Sequence, residues 1–176
     1  MSDVTIRPAT PSDLPAIAAI YRDAVLHGTA TWELDPPDDA EMLRRFEELT
    51  DAGYPYLVAE ADGVLAGYAY AGSYRPRAAY RFTVENSIYV APALHCRGVG
   101  RRLLAALIDA CTARGFRQMV AVIGDSANAA SIGLHTAAGF TPVGVAPAVG
   151  WKHGRWLDQM LMRRPLGDGD ETPPVG

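Results

Sequence analysis

Apolar residues in the first half of the chain alternate between strand-like and helix-like spacing. Residues 4–6 predict a short strand that ends at Pro8, and the runs 56–60 and 64–72 flank an Asp62-Gly63 turn that predicts a hairpin. Residues 28–37 predict a loop between two helices. These helices are predicted because apolar residues recur every three to four positions: Leu14, Ile17, Ala18, Tyr21 and Val25 in the first, and Met42, Phe46 and Leu49 in the second.

The second half of the chain predicts strands with helices crossing between them. A strand at residues 83–90 leads through a loop rich in Gly and Arg at 93–100 into a helix with the apolar stripe Leu103, Leu104, Leu107, Ile108 and Cys111. A strand at 119–123, a helix at 128–138 and two strands near 141–149 and 155–162 follow. The order β-α-α-β-β-β-α-β-α-β-β predicts a mixed sheet with helices on both faces.

The length of 176 residues is that of one domain, which we place at residues 1–165. The last segment, 166–176, is acidic, contains two prolines and has no basic residue, so we expect a disordered tail there.

Composition and charge exclude several classes of protein. The net charge of −4 argues against a general nucleic-acid binder, which needs a basic surface. The longest apolar runs are far shorter than the roughly 20 residues that span a bilayer, and the first residues, MSDVTIRP, lack the apolar core of a secretory signal. Cys96 and Cys111 make neither a disulfide framework nor, alone, a zinc site. No cluster of His, Cys and acidic residues has metal-ligand spacing, so we expect a cytoplasmic protein without bound metal or a membrane partner.

The loop before the predicted third helix carries the first candidate chemistry. A strand followed by Gly98, Gly100 and a helix leaves free backbone N–H groups that a phosphate can approach, and Arg97, Arg101 and Arg102 add positive charge. The same glycines are also compatible with a purely structural turn. The stretch lacks the lysine of the P-loop motif and the third glycine of the dinucleotide-binding motif, which disfavours an NTP or dinucleotide site.

Two separated motifs resemble those of the GNAT superfamily of acyl-CoA-dependent N-acetyltransferases. The superfamily's Arg/Gln-x-x-Gly-x-Gly/Ala motif reads HCRGVG from His95 to Gly100, with His95 in place of Arg or Gln. Its second motif matches from Asn128 to Phe140, with His135 at the usual Tyr position. The resemblance covers the chain to about residue 165. It implies a single-domain α/β fold whose mixed, mostly antiparallel sheet is splayed at its centre, and acetyl-CoA as the co-substrate without a metal.

Further segments resemble the phosphinothricin acetyltransferase branch of that superfamily, whose members acetylate phosphinothricin, methionine sulfoximine or methionine sulfone. These segments are TVENSIYV, NAASIGLH and KHGRWLD. The resemblance implies direct transfer of an acetyl group from acetyl-CoA to the α-amine of such a small amino acid. It also implies a role in antibiotic or herbicide detoxification, and a homodimer.

Two residues are candidates for the catalytic chemistry. Acetyl transfer needs an unprotonated amine and therefore a proton acceptor beside it. The resemblance assigns that role to Glu85 and implies that His135 donates a proton to the departing thiolate. From the residues alone, Glu85 is equally a solvated strand glutamate, and His135 is equally a helix histidine that binds substrate or fills space.

The resemblance also implies two sets of binding residues. The expected co-substrate set is Ile88, Tyr89, Val90, His95, Cys96, Arg97, Gly98, Val99, Gly100, Arg101, Asn128 and Ser131, with a main-chain N–H of residues 89–91 stabilising the oxyanion. The expected substrate set is Arg75, Pro76, Arg77, Glu85, Asn86, Ser87 and Lys152, in which an arginine suits the carboxylate of an amino acid.

Other residues are weaker candidates for the acceptor site. Trp32 and Glu33 match a region that closes over substrate in such enzymes, and His153 and Trp156 lie in the KHGRWLD segment, which lines the acceptor pocket of its own or of a partner subunit. Solvated loops explain the arginines equally well, helix capping explains Asn128, and core packing explains Trp32.

Two other functions stay open. One is acetylation of protein N-termini or of another amine, and the other is a non-catalytic acyl-CoA-binding module, for which the departure at His95 would be a first sign. The presence of both Glu85 and His135 argues against the binding module.

Overall fold

Seven strands and four α-helices lie within residues 4–174, the part of the chain that the computed structural model describes. The strands are β1 (Val4–Pro8), β2 (Tyr56–Ala61), β3 (Val64–Ser73), β4 (Thr83–Val90), β5 (Gln118–Gly124), β6 (Thr141–Lys152) and β7 (Arg155–Pro165). The helices are α1 (Leu14–His27), α2 (Asp39–Asp51), α3 (Val99–Ala113) and α4 (Ala129–Ala137). The predicted order is confirmed, although β6 and β7 each run about three residues further than the sequence pattern indicated: β6 continues to a tight turn at residues 153–154, and β7 continues along β5 to residue 165.

The strands form one sheet in the order β1-β2-β3-β4-β5-β7-β6. Every neighbouring pair is antiparallel except β4 and β5, which are parallel because α3 carries the chain back between them. The predicted mixed, mostly antiparallel sheet is therefore confirmed.

The sheet separates at its centre, between β4 and β5. Residues 83–86 pair with residues 118–121, but beyond this point β4 continues only along β3 and β5 only along β7. The amide of Ala91 donates to the carbonyl of Ala66 on the β3 side. Since main-chain groups alternate in direction along a strand, those of Ile88 and Val90 face the gap. The predicted splay thus leaves strand edges whose hydrogen-bonding groups have no strand partner.

Apolar cores form on both faces of the sheet, as the mixed pattern predicted. On one face α3 buries Leu103, Leu104 and Leu107 completely against β2, β3 and β4. On the other face α1 and α2 pack over a ladder of tyrosines that includes Tyr56 and Tyr68, whose rings stack with centroids 5.9 Å apart. The two cores therefore hold β3 and β4 from opposite sides beside the gap.

The described part of the predicted tail, residues 166–174, has no helix or strand but contacts the domain. Leu166 is completely buried in the α3 core. Arg117 donates to the carbonyl oxygens of Gly169 and Thr172, each at 2.8 Å. These contacts count against disorder at the start of the segment. The disordered tail stays a prediction, and its last two residues, 175–176, lie outside the described residues.

Gly67 allows β3 and β4 to approach each other beside the gap. A Cβ atom at this position would lie 2.7 Å from the carbonyl oxygen of Tyr89 and 3.2 Å from the Cα of Val90, so β4 would have to move. We expect Gly67→Ala to lower the free energy of unfolding by about 1–3 kcal/mol, as overpacked sites do, measured by urea denaturation.

Gly133→Ala is the matched control. Gly133 lies inside α4, where an added Cβ meets nothing within 4 Å, so helix propensity alone predicts a gain of up to about 1 kcal/mol. Equal stability of Gly67→Ala and the wild type would contradict the close approach of β3 and β4.

Candidate active site

A cavity of about 900 Å³ occupies the gap between β4 and β5. Its walls come from both strands, from the loop between α1 and α2, from the loop that precedes α3, and from α4. Of the predicted site residues, it is lined by Glu85, Asn86, Ser87, Ile88, Tyr89, Val90, His95, Cys96, Gly98, Val99, Gly100, Arg101, Asn128, Ser131 and His135. The structure therefore brings most of the predicted set to one place.

Glu85 lies on β4, one residue before the apex of the gap. Burial raises the pKa of its carboxyl group, and the positive charge of Arg75 opposes that shift. A carboxylate with a raised pKa in a cavity is suited to accept a proton near neutral pH. This environment favours the catalytic interpretation of Glu85 over a solvated strand residue.

Asn86 occupies the apex, where β4 and β5 part, and is buried. Its Nδ2 donates to the carbonyl oxygen of Val120 on β5 at 3.0 Å, and its Oδ1 lies 3.0 Å from Nε2 of His135. The side-chain amide thus joins β4, β5 and α4 at the point where main-chain pairing stops. Both hydrogen bonds of the Asn86 side chain are made within the protein, and its predicted role in substrate binding stays a prediction.

The ring of His135 is held between two groups of the protein. Nε2 must donate, because the amide of Asn86 presents its oxygen once Nδ2 is committed to Val120. Nδ1 lies 2.8 Å from the carbonyl oxygen of Ser131, which can only accept a hydrogen bond and therefore favours a proton on Nδ1 as well, and 3.5 Å from its Oγ. Burial lowers the pKa of His135, and the hydrogen bond to the Ser131 carbonyl opposes that shift. Its predicted role as a proton donor stays a prediction.

The beginning of α3 has the geometry that was predicted to form a cradle for an anion. Gly98 precedes the helix with φ +80°, a left-handed conformation that favours glycine, and the first amides of α3 have no partner within the helix. Arg101 lines the cavity, whereas Arg97 does not. Arg102 turns away from the cradle and donates to the carbonyl of Val4 at 3.0 Å. The expected cluster of three cations is therefore reduced to Arg101 at the cavity itself.

His95, the departure from the expected motif, bonds the edge of the gap. Its Nε2 donates to the carbonyl oxygen of Val90 at 2.9 Å, a group that no strand pairs with. On α4, Oδ1 of Asn128 accepts from the amide of Ser131 at 3.1 Å. Asn128 thus caps the helix while lining the cavity, so both interpretations of this residue are compatible.

The remaining predicted substrate residues lie outside the cavity wall. Arg75, Pro76 and Arg77 are on an exposed loop, where the guanidinium of Arg75 lies over the ring of Tyr74 at 5.0 Å. Lys152 is buried, and its Nζ donates to the carbonyl oxygen of Thr31 at 2.9 Å. The structure does not place Lys152 among the lining residues, because its ammonium group is turned towards the loop between α1 and α2.

Several lining residues were not singled out from the sequence. Tyr21, Thr31 and Tyr70 line the cavity beside Trp32 and Glu33, and the hydroxyls of Tyr21 and Thr31 lie 2.9 Å apart. Alternation along β3 marks Tyr70 as sharing a face with Tyr68, but the pattern cannot separate a cavity wall from a core. Among residues 4–174, no three His, Cys, Asp or Glu side chains gather as metal ligands, and no helix is long and apolar enough to cross a membrane.

Comparisons with known proteins identify the family. Residues 17–140 match the sequence model of the acetyltransferase (GNAT) family. A phosphinothricin N-acetyltransferase from Alcaligenes faecalis is 56% identical over 170 residues, covering 97% of this chain and 86% of the relative. An L-methionine sulfoximine/L-methionine sulfone acetyltransferase from Pseudomonas aeruginosa is 46% identical over 170 residues, covering 96% and 98%. The chain belongs to the GNAT acetyltransferase family, and the branch to which the sequence motifs pointed is confirmed.

Solved structures agree with the fold. A phosphinothricin acetyltransferase from Sinorhizobium meliloti in complex with AcCoA superposes with a TM-score of 0.96 at 51% identity, covering 99% of this chain and 94% of that one. A ribosomal-protein-alanine N-acetyltransferase from Brucella melitensis gives 0.90 at 42% identity, covering 92% and 99%. The splayed sheet is therefore the GNAT fold, and similar chains carry names with different acceptors.

Proposed function

We propose that the protein transfers an acetyl group from acetyl-CoA directly to the α-amine of a small amino acid of the phosphinothricin, methionine sulfoximine or methionine sulfone type. The observation that carries the proposal is the cavity between β4 and β5, which has the carboxyl group of Glu85 beside the apex and the cradle at the start of α3 further along. The names of the similar proteins support this acceptor class.

Acetyl-CoA fits the gap as an extended molecule. The main-chain groups of Ile88 face the gap and can bond the amides of the pantetheine arm, much as a neighbouring strand would. The amides at the start of α3 and the side chain of Arg101 receive the pyrophosphate. Asn128 and Ser131 lie beside the arm on α4.

The chemistry then needs one proton acceptor and one oxyanion donor. Glu85 takes a proton from the substrate ammonium, and the free amine attacks the thioester carbonyl, so that an N–C bond forms. The amide of Val90, which faces the gap, donates to the oxyanion. The C–S bond then breaks, and the departing thiolate of coenzyme A takes up the second proton of the nitrogen, giving the amide and the free thiol, while Glu85 releases its proton to solvent. We assign no required step to His135, since its Nε2 proton already bonds Asn86.

The acceptor carboxylate is best matched by the loop before β4. The net charge of −4 does not attract an anion, so local cations must do so. The positive charge of Arg75 lowers the pKa of Glu85 against the effect of burial, which supports Arg75, with Pro76 and Arg77, as the substrate-binding loop.

A homodimer and a cytoplasmic location complete the proposal. Strand β6 is an edge of the sheet, and Val143, Val145, Val149 and Trp151 on it are each at least half exposed, an arrangement that isolated proteins usually avoid. We expect sedimentation at micromolar concentration to give about twice the chain mass of 18.8 kDa. A mass of one chain would contradict the dimer.

Cys96 and Cys111 are both unpaired, which fits the reducing cytoplasm.

A second acceptor class has one observation in its favour, the similarity to a ribosomal-protein-alanine N-acetyltransferase. An acceptor panel separates the possibilities by following thiol release from acetyl-CoA. We expect acetylation of phosphinothricin, methionine sulfoximine or methionine sulfone, weak activity on methionine, and none on an alanine-ended peptide. Exclusive activity on the peptide would move the protein to the second class, and acetyl-CoA binding without any turnover would identify a binding module.

Removal of the proton acceptor tests the mechanism. We expect Glu85→Gln to lower kcat by about 10²–10⁴-fold, the usual range for a general base, with acetyl-CoA affinity unchanged in calorimetry. The wild-type kcat/KM should fall as the pH drops through the raised pKa of Glu85, because protonation removes the acceptor; this fall should be absent in the variant.

The raised pKa of Glu85 also predicts how stable the Glu85→Gln variant is, which serves as the control for folding. A carboxyl group whose pKa is raised in the folded state is destabilising when ionised, so Glu85→Gln should unfold at no lower urea concentration than the wild type at neutral pH. Near-normal turnover of the folded variant at pH 7 would eliminate Glu85 as the base.

A further inference from the structure

We propose that Lys152 and His153, in the turn between β6 and β7, are positioning residues that fix the wall of the acceptor site without touching the substrate. The proposal rests on the acetyltransferase function proposed above. Lys152 is the only lysine among the chain's 16 Lys and Arg residues, and it is 3% exposed. An ammonium group is rarely buried without a specific partner, so this position calls for one.

The partner is the main chain of the loop between α1 and α2. Nζ of Lys152 donates to the carbonyl of Thr31 at 2.9 Å, and Nε2 of His153 donates to the carbonyl of Gly28 at 3.0 Å. His153 and Gly154 have φ of +52° and +73°, the two positive values of a tight type I′ hairpin turn. The two donors are therefore adjacent residues of a tight turn, and they hold the loop at the carbonyls of residues 28 and 31.

Two glycines allow the loop between α1 and α2 to pack directly against the sheet. The indole of Trp32 lies where a Cβ of Gly150 would be, and the carbonyl of Thr29 lies where a Cβ of Gly124 would be. Any side chain at either glycine would displace the loop. The packing against these two glycines and the hydrogen bonds from residues 152 and 153 are separate contacts that fix the loop in the same position.

The held loop reaches the reacting side of the cavity. Thr31, Trp32 and Glu33 line the wall, and the hydroxyl of Thr31 bonds that of Tyr21 on α1. Tyr21 packs in the core beneath α1 and α2, on the face of the sheet opposite to α3. The loop therefore borders the acceptor rather than the pyrophosphate cradle.

A lysine suits this position better than an arginine. The site offers one carbonyl at hydrogen-bond distance and the negative charge of Glu33, which opposes the lowering of the Lys152 pKa by burial. Glu33 is itself paired with Arg45 at 2.6 Å, which links the loop to α2. A compact ammonium on a flexible stem can reach a single oxygen, whereas a planar guanidinium presents five donors that would need more partners.

The decisive variant is Lys152→Met, which keeps the apolar stem and removes the donor. Loss of a hydrogen bond from a charged group predicts a rise in the KM of the amino-acid acceptor of about 10-fold or more, with acetyl-CoA affinity unchanged within about twofold. Amide hydrogen exchange should become faster in residues 28–33 and stay the same in α3. Arg163→Met is the matched control, because it removes one exposed positive charge from the same hairpin.

Each outcome decides the proposal. Unchanged exchange in residues 28–33 overturns it whether or not any amine is acetylated, so its failure is distinct from failure of the proposed function. Equal losses of acceptor and acetyl-CoA binding would also overturn it, because that pattern indicates a general structural role. If Lys152→Met does not fold, His153→Ala carries the same test from an exposed side chain, and Gly150→Ala, which displaces Trp32, should reproduce the rise in acceptor KM.

Discussion

The parting of β4 and β5 after residues 86 and 121 is the constraint on which the site depends. Main-chain groups inside a protein must be hydrogen-bonded, and two strands that diverge leave their facing edges unsatisfied. The fold meets this cost with side chains at two points: Asn86 bonds the carbonyl of Val120 at the apex, and His95 bonds that of Val90 further along. What remains open is a slot shaped for an extended molecule with amide groups of its own.

The electrostatics of the slot differ from one end to the other. In the proposed binding mode, an acidic protein receives an anionic co-substrate because the amides at the start of α3 and a nearby arginine outweigh the net charge locally. Glu85 lies at the opposite end of the slot. Burial raises the pKa of its carboxyl group by more than the positive charge of Arg75 lowers it. A carboxylate in that environment gains more from accepting a proton than one in water, which is what removal of an ammonium proton requires.

The sequence predicted the elements well because helix and strand periods are local properties. The order of strands and the splay could be inferred only from the resemblance, since periodicity does not tell which strands pair. The differences from expectation concern long side chains. Arg102 bonds Val4 and Lys152 bonds Thr31, contacts across 98 and 121 residues of chain that follow from sheet order. Spacing assigns such residues to the nearest motif, whereas the fold assigns them to distant carbonyls.

The burial of the chain's single lysine determines how the folded protein reacts with reagents that modify amines. Acetyl-CoA modifies exposed ε-amino groups slowly without any enzyme, and a protein that binds it is continually in its presence. Here every other basic side chain is an arginine or a histidine, and the one ε-amine is enclosed and hydrogen-bonded to Thr31. The folded chain therefore offers no exposed lysine for self-acetylation, and amine-directed dyes or resins will leave its lysine untouched until it unfolds.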